Sequence, residues 1–341
     1  MIGWKVFEYG KIQQADNKEM LTGVDSVKVR LTHALVTDDD VALIAGENKN
    51  MSLPLIPCRM AIGKVSEIVQ KTDTYDKGSR VFVAPIKSCG QCQNCADGKE
   101  DACYNFSIAG KNSEGFLKDF AVLDAPNVYP IPSKVSDSDA IFIEYIAMAS
   151  SVINKLNAKR GRHVLIIGAN TFGVIIAQVA LYHQLIPIII DNNETNLKKA
   201  RKTGIPNTFM IDAKLEKEIS NVTGNNWVNG VVYVNRSGLN VDLAYKFIAP
   251  GHTVAFAGYS YPPIKVSLNG AMQNQSHTVC VTNGYGNYEE AIQLLDDNAF
   301  DLNEYKLSPI KTPAIVDSIL EQVDNFNKKQ PVKNILVDLL N

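Results

Sequence analysis

Hydrophobic and polar positions change their rhythm twice along the chain. Up to about residue 130 the apolar residues come in short β-branched runs. VKVRLTHALV alternates, KVSEIV and RVFVAPI follow, and Gly63, Gly78 and Pro85 punctuate them. Alternation closed by turn formers predicts strands, so this part is expected to be a compact β domain. AIFIEYIAMASSVINKL then carries apolar residues at helical spacing and predicts the helix that leaves it. Beyond it, HVLIIGANTFGVIIAQVALYHQLIPIIIDNN is a wholly apolar strand, a glycine-bounded turn, a helix and a second apolar strand ending in an acid. That order is a βαβ unit of a parallel sheet. Alternation continues through NTFMID, NGVVYVN, LAYKFIAP, HTVAFAG and HTVCVTN. After about residue 285, EEAIQLLDD and IVDSILEQVDNF predict helices and KNILVDLL a terminal strand, where the chain is expected to return to the first domain. The expected division is 1–148 with 285–341, and 149–284.

Composition narrows this without changing it. A chain of 341 residues exceeds one ordinary core, and 45% hydrophobic with 21% charged residues describes a soluble globular protein. A formal net charge of −2 gives no reason to expect nucleic acid or an anionic membrane as partner. The apolar stretch Val174–Leu185 is interrupted by Gln178, Tyr182, His183 and Gln184, so it is not a membrane span. MIGWKVFEYGKIQQADNKEM lacks the apolar core of a signal peptide. With Cys58 and Cys280 apparently unpaired, a reducing cytoplasm is the expected compartment.

Four of the six cysteines, Cys89, Cys92, Cys95 and Cys103, fall within fifteen residues at C-x2-C-x2-C-x7-C spacing. Four thiolates that close together can surround one tetrahedral Zn²⁺ without long-range folding, and soft sulfur ligands favour zinc over harder cations. Gly90 and Gly98 allow the backbone to turn around such a centre. Disulfides are disfavoured without a secretory signal, and the spacing does not match the compact iron–sulfur run. A zinc lobe at about 88–104 is therefore expected. Four protein ligands leave no open position, so its metal would be structural.

Gly168-Ala-Asn170-Thr171-Phe172-Gly173 lies between strand and helix, where a dinucleotide fingerprint belongs. Gly168 permits a tight turn, Gly173 permits close helix–strand packing, and the helix N-terminus offers N–H groups to a pyrophosphate. Asn170 stands where a middle glycine is usual; asparagine tolerates positive φ, which would preserve the turn, but its side chain would crowd the pyrophosphate. Asp191 ends the second strand eighteen residues after Gly173, the place for a carboxylate on the ribose hydroxyls. It would repel a 2′-phosphate and so favours NAD(H) over NADP(H).

Taken together, CGQCQNCADGKEDAC, SEGFLKDFAVLDAPNVYPIP and the GANTFG turn with Asp191 resemble the zinc-containing medium-chain alcohol and polyol dehydrogenases, threonine and sorbitol dehydrogenases among them. The resemblance covers essentially the full chain. It implies an α/β protein, with a GroES-like β-rich catalytic domain carrying a structural-zinc lobe and a Rossmann dinucleotide-binding domain. It also implies hydride transfer between NAD(H) and a small alcohol or carbonyl substrate, polyol or sugar-like, in a homo-dimer or homo-tetramer.

The same resemblance implies a second, catalytic zinc, and there the sequence departs. Val36-Thr37-Asp38-Asp39 matches the family's C-G-[TS]-D, so Val36 replaces a thiolate. Cys58-Arg59-Met60 matches G-H-E, placing Arg59 at the histidine and Met60 at the glutamate. Glu144 remains from an E-P pair and is followed by Tyr145. A cation at Arg59 opposes a divalent metal, so the catalytic zinc is expected to be absent; a shifted site from Cys58, Asp38 or Asp39, His33 and Glu144 is the competing possibility. Arg59 is then the candidate to stabilise a developing alkoxide or hold a substrate carboxylate or phosphate, or else it fills the vacated space by pairing with Glu144 or Asp39. Asp38 or Tyr145 is the candidate proton relay. His163, His183, His252 and His277 are read as structural or surface residues, and Tyr259 and Ser260 as backbone near the nicotinamide. The other function class is a non-catalytic NAD-binding or structural homologue with a degenerate active site.

Overall fold

The computed structural model describes residues 2–16, 25–47, 51–69, 74–234, 238–259 and 264–340. Two compact units are present, Met1–Ile143 with Leu307–Asn341, and Glu144–Lys306.

The first unit is organised on the strand Ser26–Val36, the VKVRLTHALV run. It pairs antiparallel with Met60–Ile68, Phe120–Asp124 and Ile335–Asp338. Arg80–Val83 and Val128–Pro130 extend the sheet beyond Met60–Ile68. The apolar positions of these strands, including Val29, Leu31, Leu35, Ile62 and Phe82, are fully buried, which is what fixes their register against slippage. At Gly63, opposite Leu31, a Cβ would come 2.4 Å from the Arg30 carbonyl oxygen. The glycine that punctuates KVSEIV's approach is thus required by strand-to-strand contact inside the sheet. The cysteine run leaves this unit between two short strands, Ile86–Lys87 and Ser107–Ile108, which pair with each other and close the base of the lobe.

The second unit is a six-stranded parallel sheet. Its order runs Asn207–Met210, Ile186–Asp191, His163–Ile167, Val228–Val234, Ile248–Ala257 and His277–Val281. Numbered in chain order this is 3-2-1-4-5-6, the doubly wound arrangement whose order reverses beside the first strand. Leu165, Ile167, Ile188, Ile190, Val231 and Val254 form one continuous core with Phe247, Ile248 and Phe256. Strands apolar throughout are buried on both faces, as the unbroken runs required.

The boundaries differ from the expectation. The first crossing falls at Ile143, ahead of 148, and the helix Ile143–Leu156 goes with the second unit. The return comes at Leu307 instead of 285. The helix Tyr288–Asp296 and the segment after it stay in the Rossmann unit. There Gln178, on the helix Thr171–Tyr182, holds both backbone groups of Asp301: its Nε2 donates to the Asp301 carbonyl (3.1 Å) and its Oε1 accepts from the Asp301 amide (2.7 Å).

Candidate functional site

The four lobe cysteines converge. Their sulfurs all lie within 4.8 Å of one another, with separations of 3.9 Å for Cys89–Cys95, 3.5 Å for Cys92–Cys95 and 3.9 Å for Cys92–Cys103. Four thiolates about 2.3 Å from one zinc ion in a tetrahedron stand roughly 3.8 Å apart, so the cluster fits Zn²⁺. Gly90 and Gly98 both have positive φ, +70° and +69°, as the tight turns demand. The backbone supports thiolate character: amides of Cys89 and Asn105 each donate to the Cys103 sulfur at 3.3 Å. Hydrogen bonds from the amides of Cys95 and Tyr104 draw the Cys92 thiol down to about 6, while burial pushes Cys95 up to about 12. A bound zinc would hold all four as thiolates.

The positions that the family resemblance links to a second zinc are built differently. Val36 is fully buried and offers no donor, and Met60 is packed in the core. Arg59 is 3% exposed, and its Nη2 donates to Asp39 Oδ2 at 3.0 Å, a buried ion pair. This donor set does not fit a divalent metal. Cys58 has φ +83°, a conformation natural to the glycine of the matching motif. Its thiol points inward, donating to the carbonyls of Leu35 (3.3 Å) and Met60 (3.5 Å), and burial followed by the Asp40 charge raises it well above the ordinary range.

Within the first unit, Cys58, Asp38, Asp39 and His33 do not gather into a group able to share an ion. Among the described residues, the lobe cysteines form the only group of three or more His, Cys, Asp or Glu side chains able to share an ion. His33 Nδ1 lies 4.0 Å from Asp137 and 3.3 Å from Thr32 Oγ1. Glu144, fully buried, accepts the Gly284 amide on Oε1 at 3.2 Å. Tyr145 stacks on Phe172 with ring centres 5.0 Å apart. Asp38 is the first residue of the helix Asp38–Ala45, where a carboxylate is favoured by the helix dipole.

One member of this region escaped the sequence reading. Asp40 is completely buried, and its Oδ2 accepts both the amide and the hydroxyl of Thr37 at 2.8 Å. Burial raises its pKa and the Arg59 charge opposes that rise. The signal was present as Thr37-x-x-Asp40 before VALIA, a capping-box spacing. The buried cluster therefore holds Asp39, Asp40, Arg59 and the Cys58 thiol.

In the second unit the GANTFG segment forms the expected strand–turn–helix. Gly168 has φ +114°, and a Cβ on Gly173 would lie 1.9 Å from the Gly168 carbonyl oxygen, so both glycines are sterically required. Asn170 is a correction. It does not occupy positive φ; at φ −71° it is the N-cap of Thr171–Tyr182, and its Oδ1 accepts the Gly173 amide at 3.0 Å. The side-chain oxygen of asparagine suits a helix start, and that preference governs its conformation here. Thr171 and Phe172 open the helix, with Phe172 against Tyr145. Asp191 is buried; its Oδ2 accepts from the Ala169 amide (2.7 Å) and its Oδ1 from the Asn193 amide (2.8 Å), tying the second strand to the turn. A carboxylate oxygen accepts more than one hydrogen bond, so these ties are compatible with ribose hydroxyls. The turn lies at the C-terminal end of His163–Ile167, beside the reversal in strand order where such sheets bind dinucleotides. Apart from Asn170, the residues fit a dinucleotide. Of the nicotinamide-side residues, Tyr259 is described and Ser260 lies outside the described residues.

Two family models match the chain, the alcohol dehydrogenase GroES-like domain over residues 23–133 and zinc-binding dehydrogenase over residues 172–297. The chain belongs to the zinc-type medium-chain dehydrogenases. Within that family it is 21% identical to an uncharacterized zinc-type alcohol dehydrogenase-like protein of Haemophilus influenzae over 309 residues, 89% of this chain and 90% of that one. It is 28% identical to the starvation-sensing protein RspB of Escherichia coli over 180 residues, covering 52% of this chain and 53% of RspB. It is 28% identical to the L-threonine 3-dehydrogenase of Aliivibrio salmonicida over 205 residues, 59% and 60% of the two chains. The match thus spans less than two thirds of each of the last two. Among solved structures, the alcohol dehydrogenase rspB of E. coli CFT073, complexed with NADH, has a TM-score of 0.84 at 18% identity, with 99% of both chains covered. Galactitol-1-phosphate dehydrogenase of E. coli has the same TM-score and identity over 99% of this chain and 100% of its own. Both share the dehydrogenase fold, which is what similarity at this identity shows. No helix among the described residues is long and apolar enough to cross a membrane.

Proposed function

We propose that this medium-chain dehydrogenase is an NAD(H)-dependent oxidoreductase that works on an alcohol or carbonyl substrate, polyol or sugar-like, with one structural zinc and no catalytic zinc. The buried Arg59–Asp39 pair at the positions matching the metal ligands carries this reading. A bound nicotinamide supplies the hydride donor or acceptor. In this scheme the permanent charge of Arg59, oriented by Asp39, stabilises negative charge developing on the substrate oxygen, the task of the missing Lewis acid. Asp38, half-buried at the start of its helix, relays the proton. Asp191 and the Gly168–Gly173 turn hold the dinucleotide, with Asp191 favouring NAD(H). Glu144 and Tyr145 are assigned to packing, since Glu144 secures Gly284 and Tyr145 stacks on Phe172.

A second reading is a non-catalytic dinucleotide-binding homologue, favoured by the commitment of Arg59 to an internal carboxylate. Metal analysis separates both readings from a conventional zinc enzyme, because two zinc ions per chain would refute them. Fluorescence titration with NADH and NADPH comes next; failure of both to bind removes the oxidoreductase reading. Turnover of polyols and sugar alcohols by the wild type, lost in Arg59→Ala, supports the first reading over the second. Undiminished turnover in that variant removes Arg59 from the mechanism. The same reading expects a cytoplasmic homo-dimer or homo-tetramer, which light scattering on the purified protein checks.

A further inference from the structure

We propose that Asn170 keeps the dinucleotide turn closed: its side chain occupies the place where an anionic pyrophosphate oxygen would be received and must swing out before a dinucleotide docks. This rests on the dinucleotide-binding reading above. The first-turn amides of a helix have no intrahelical acceptor and are the donors that hold phosphate groups. Here one of them, the Gly173 amide, is taken by Asn170 Oδ1 at 3.0 Å. The carboxamide oxygen carries partial negative charge, so it both fills the anion position and repels its rival.

The backbone leaves no other way to make room. Gly173 lies so close to Gly168 that even a methyl group would overlap the Gly168 carbonyl. The Ala169 amide is fastened to Asp191 at 2.7 Å, and the Gly168 amide to the Ile190 carbonyl at 2.9 Å. The turn is clamped to its neighbouring strand on one side and its own helix on the other. Asn170, only partly buried, is the part free to rotate. The consequence is a nucleotide affinity lower than the fold would otherwise give, by the worth of the cap that must be broken. An N-cap of this kind converts to about a fivefold change in dissociation constant.

The test is calorimetric titration of the full-length protein and its Asn170→Gly and Asn170→Asp variants with NADH, and with adenosine, which lacks the pyrophosphate. Glycine costs a helix start little, and aspartate caps as well as asparagine, so both variants retain the fold; circular dichroism and melting verify this. The expected result is roughly fivefold tighter NADH binding in Asn170→Gly and at least tenfold weaker binding in Asn170→Asp, with adenosine binding the same in all three. NADH binding that is unchanged or weaker in Asn170→Gly overturns the proposal and leaves the dinucleotide reading standing. Equal NADH affinity for Asn170→Asp and wild type also overturns it. Absence of NADH and adenosine binding in all three proteins overturns the dinucleotide reading and this proposal with it.

Discussion

Removing the Arg59 charge is the most direct test of how the first unit tolerates its buried ions. At the 3.0 Å separation of Nη2 and Asp39 Oδ2, an effective dielectric of about 20 gives a gross attraction of about 5 kcal/mol. Desolvation of two groups that are 3% and 10% exposed offsets most of that, so the intact pair contributes little net stability. Losing one partner is another matter. Arg59→Met leaves Asp39 buried without its cation and takes from Asp40 the charge that opposes its desolvation. The expected cost is about 3–5 kcal/mol. For a unit of this size that lowers the melting temperature by about 6–20 °C. The double variant Asp39→Leu/Arg59→Met removes both ions and should melt above Arg59→Met alone.

The penalty should also depend on pH. Burial raises Asp40 above its ordinary value of 3.8. Below that value the carboxyl is protonated whether the chain is folded or not. Between it and the raised folded value, the folded chain keeps a proton that the unfolded chain has released, so stability falls as pH rises and levels off above the window. Without Arg59 the upper end of the window moves to higher pH, so the Arg59→Met penalty should be smallest in acid and grow as pH rises. Differential scanning calorimetry of both proteins between pH 4 and 8 measures it. A penalty below about 1 kcal/mol, or one that does not change with pH, would refute this account of the pair.

Three further outcomes are expected. Cys103→Ser should lose the lobe zinc, read by plasma emission, and increase proteolysis near Ile86–Ile108; full zinc content in that variant would refute the ligand assignment. Gly173→Ala should destabilise the Rossmann unit by about 1–3 kcal/mol or more, because its methyl group has to displace the Gly168 carbonyl; a melting curve matching wild type would contradict the packing. Glu144→Ala should cost about 1–3 kcal/mol by leaving the Gly284 amide without its acceptor, whereas Glu144→Gln keeps a carbonyl there and should cost less than half as much; equal effects in thermal melts would count against the hydrogen bond.

Features that depend on near neighbours in sequence were legible from the residues. The lobe cysteines lie within fifteen residues, so their convergence needed only two tight turns. The Rossmann strands were evident because burial on both faces demands unbroken apolar runs. Pairing across distance was not legible. Arg59 had two acidic candidates, and its pairing with Asp39 depends on how the strand beginning at Met60 lies against the helix beginning at Asp38. The return point was misplaced because the helix Tyr288–Asp296 has the same amphipathic pattern in either unit, and the Gln178–Asp301 contact joins residues 123 apart. Asn170 was read through the tolerance of asparagine for positive φ, when its capping oxygen was the property the chain used.

The strand Ile335–Asp338 pairs with His33–Val36, nearly at the other extreme of the chain. This sets an order on synthesis. Residues 144–306 form a contiguous unit and can complete their sheet as soon as they have left the ribosome. The first unit is made earlier yet must wait, with the His33–Val36 edge of its central strand still open, until roughly 300 further residues have been added. The unit that emerges first is thus the one that finishes last, and a chain cut short and released between Leu307 and Ile335 would leave a folded Rossmann unit attached to an exposed strand edge.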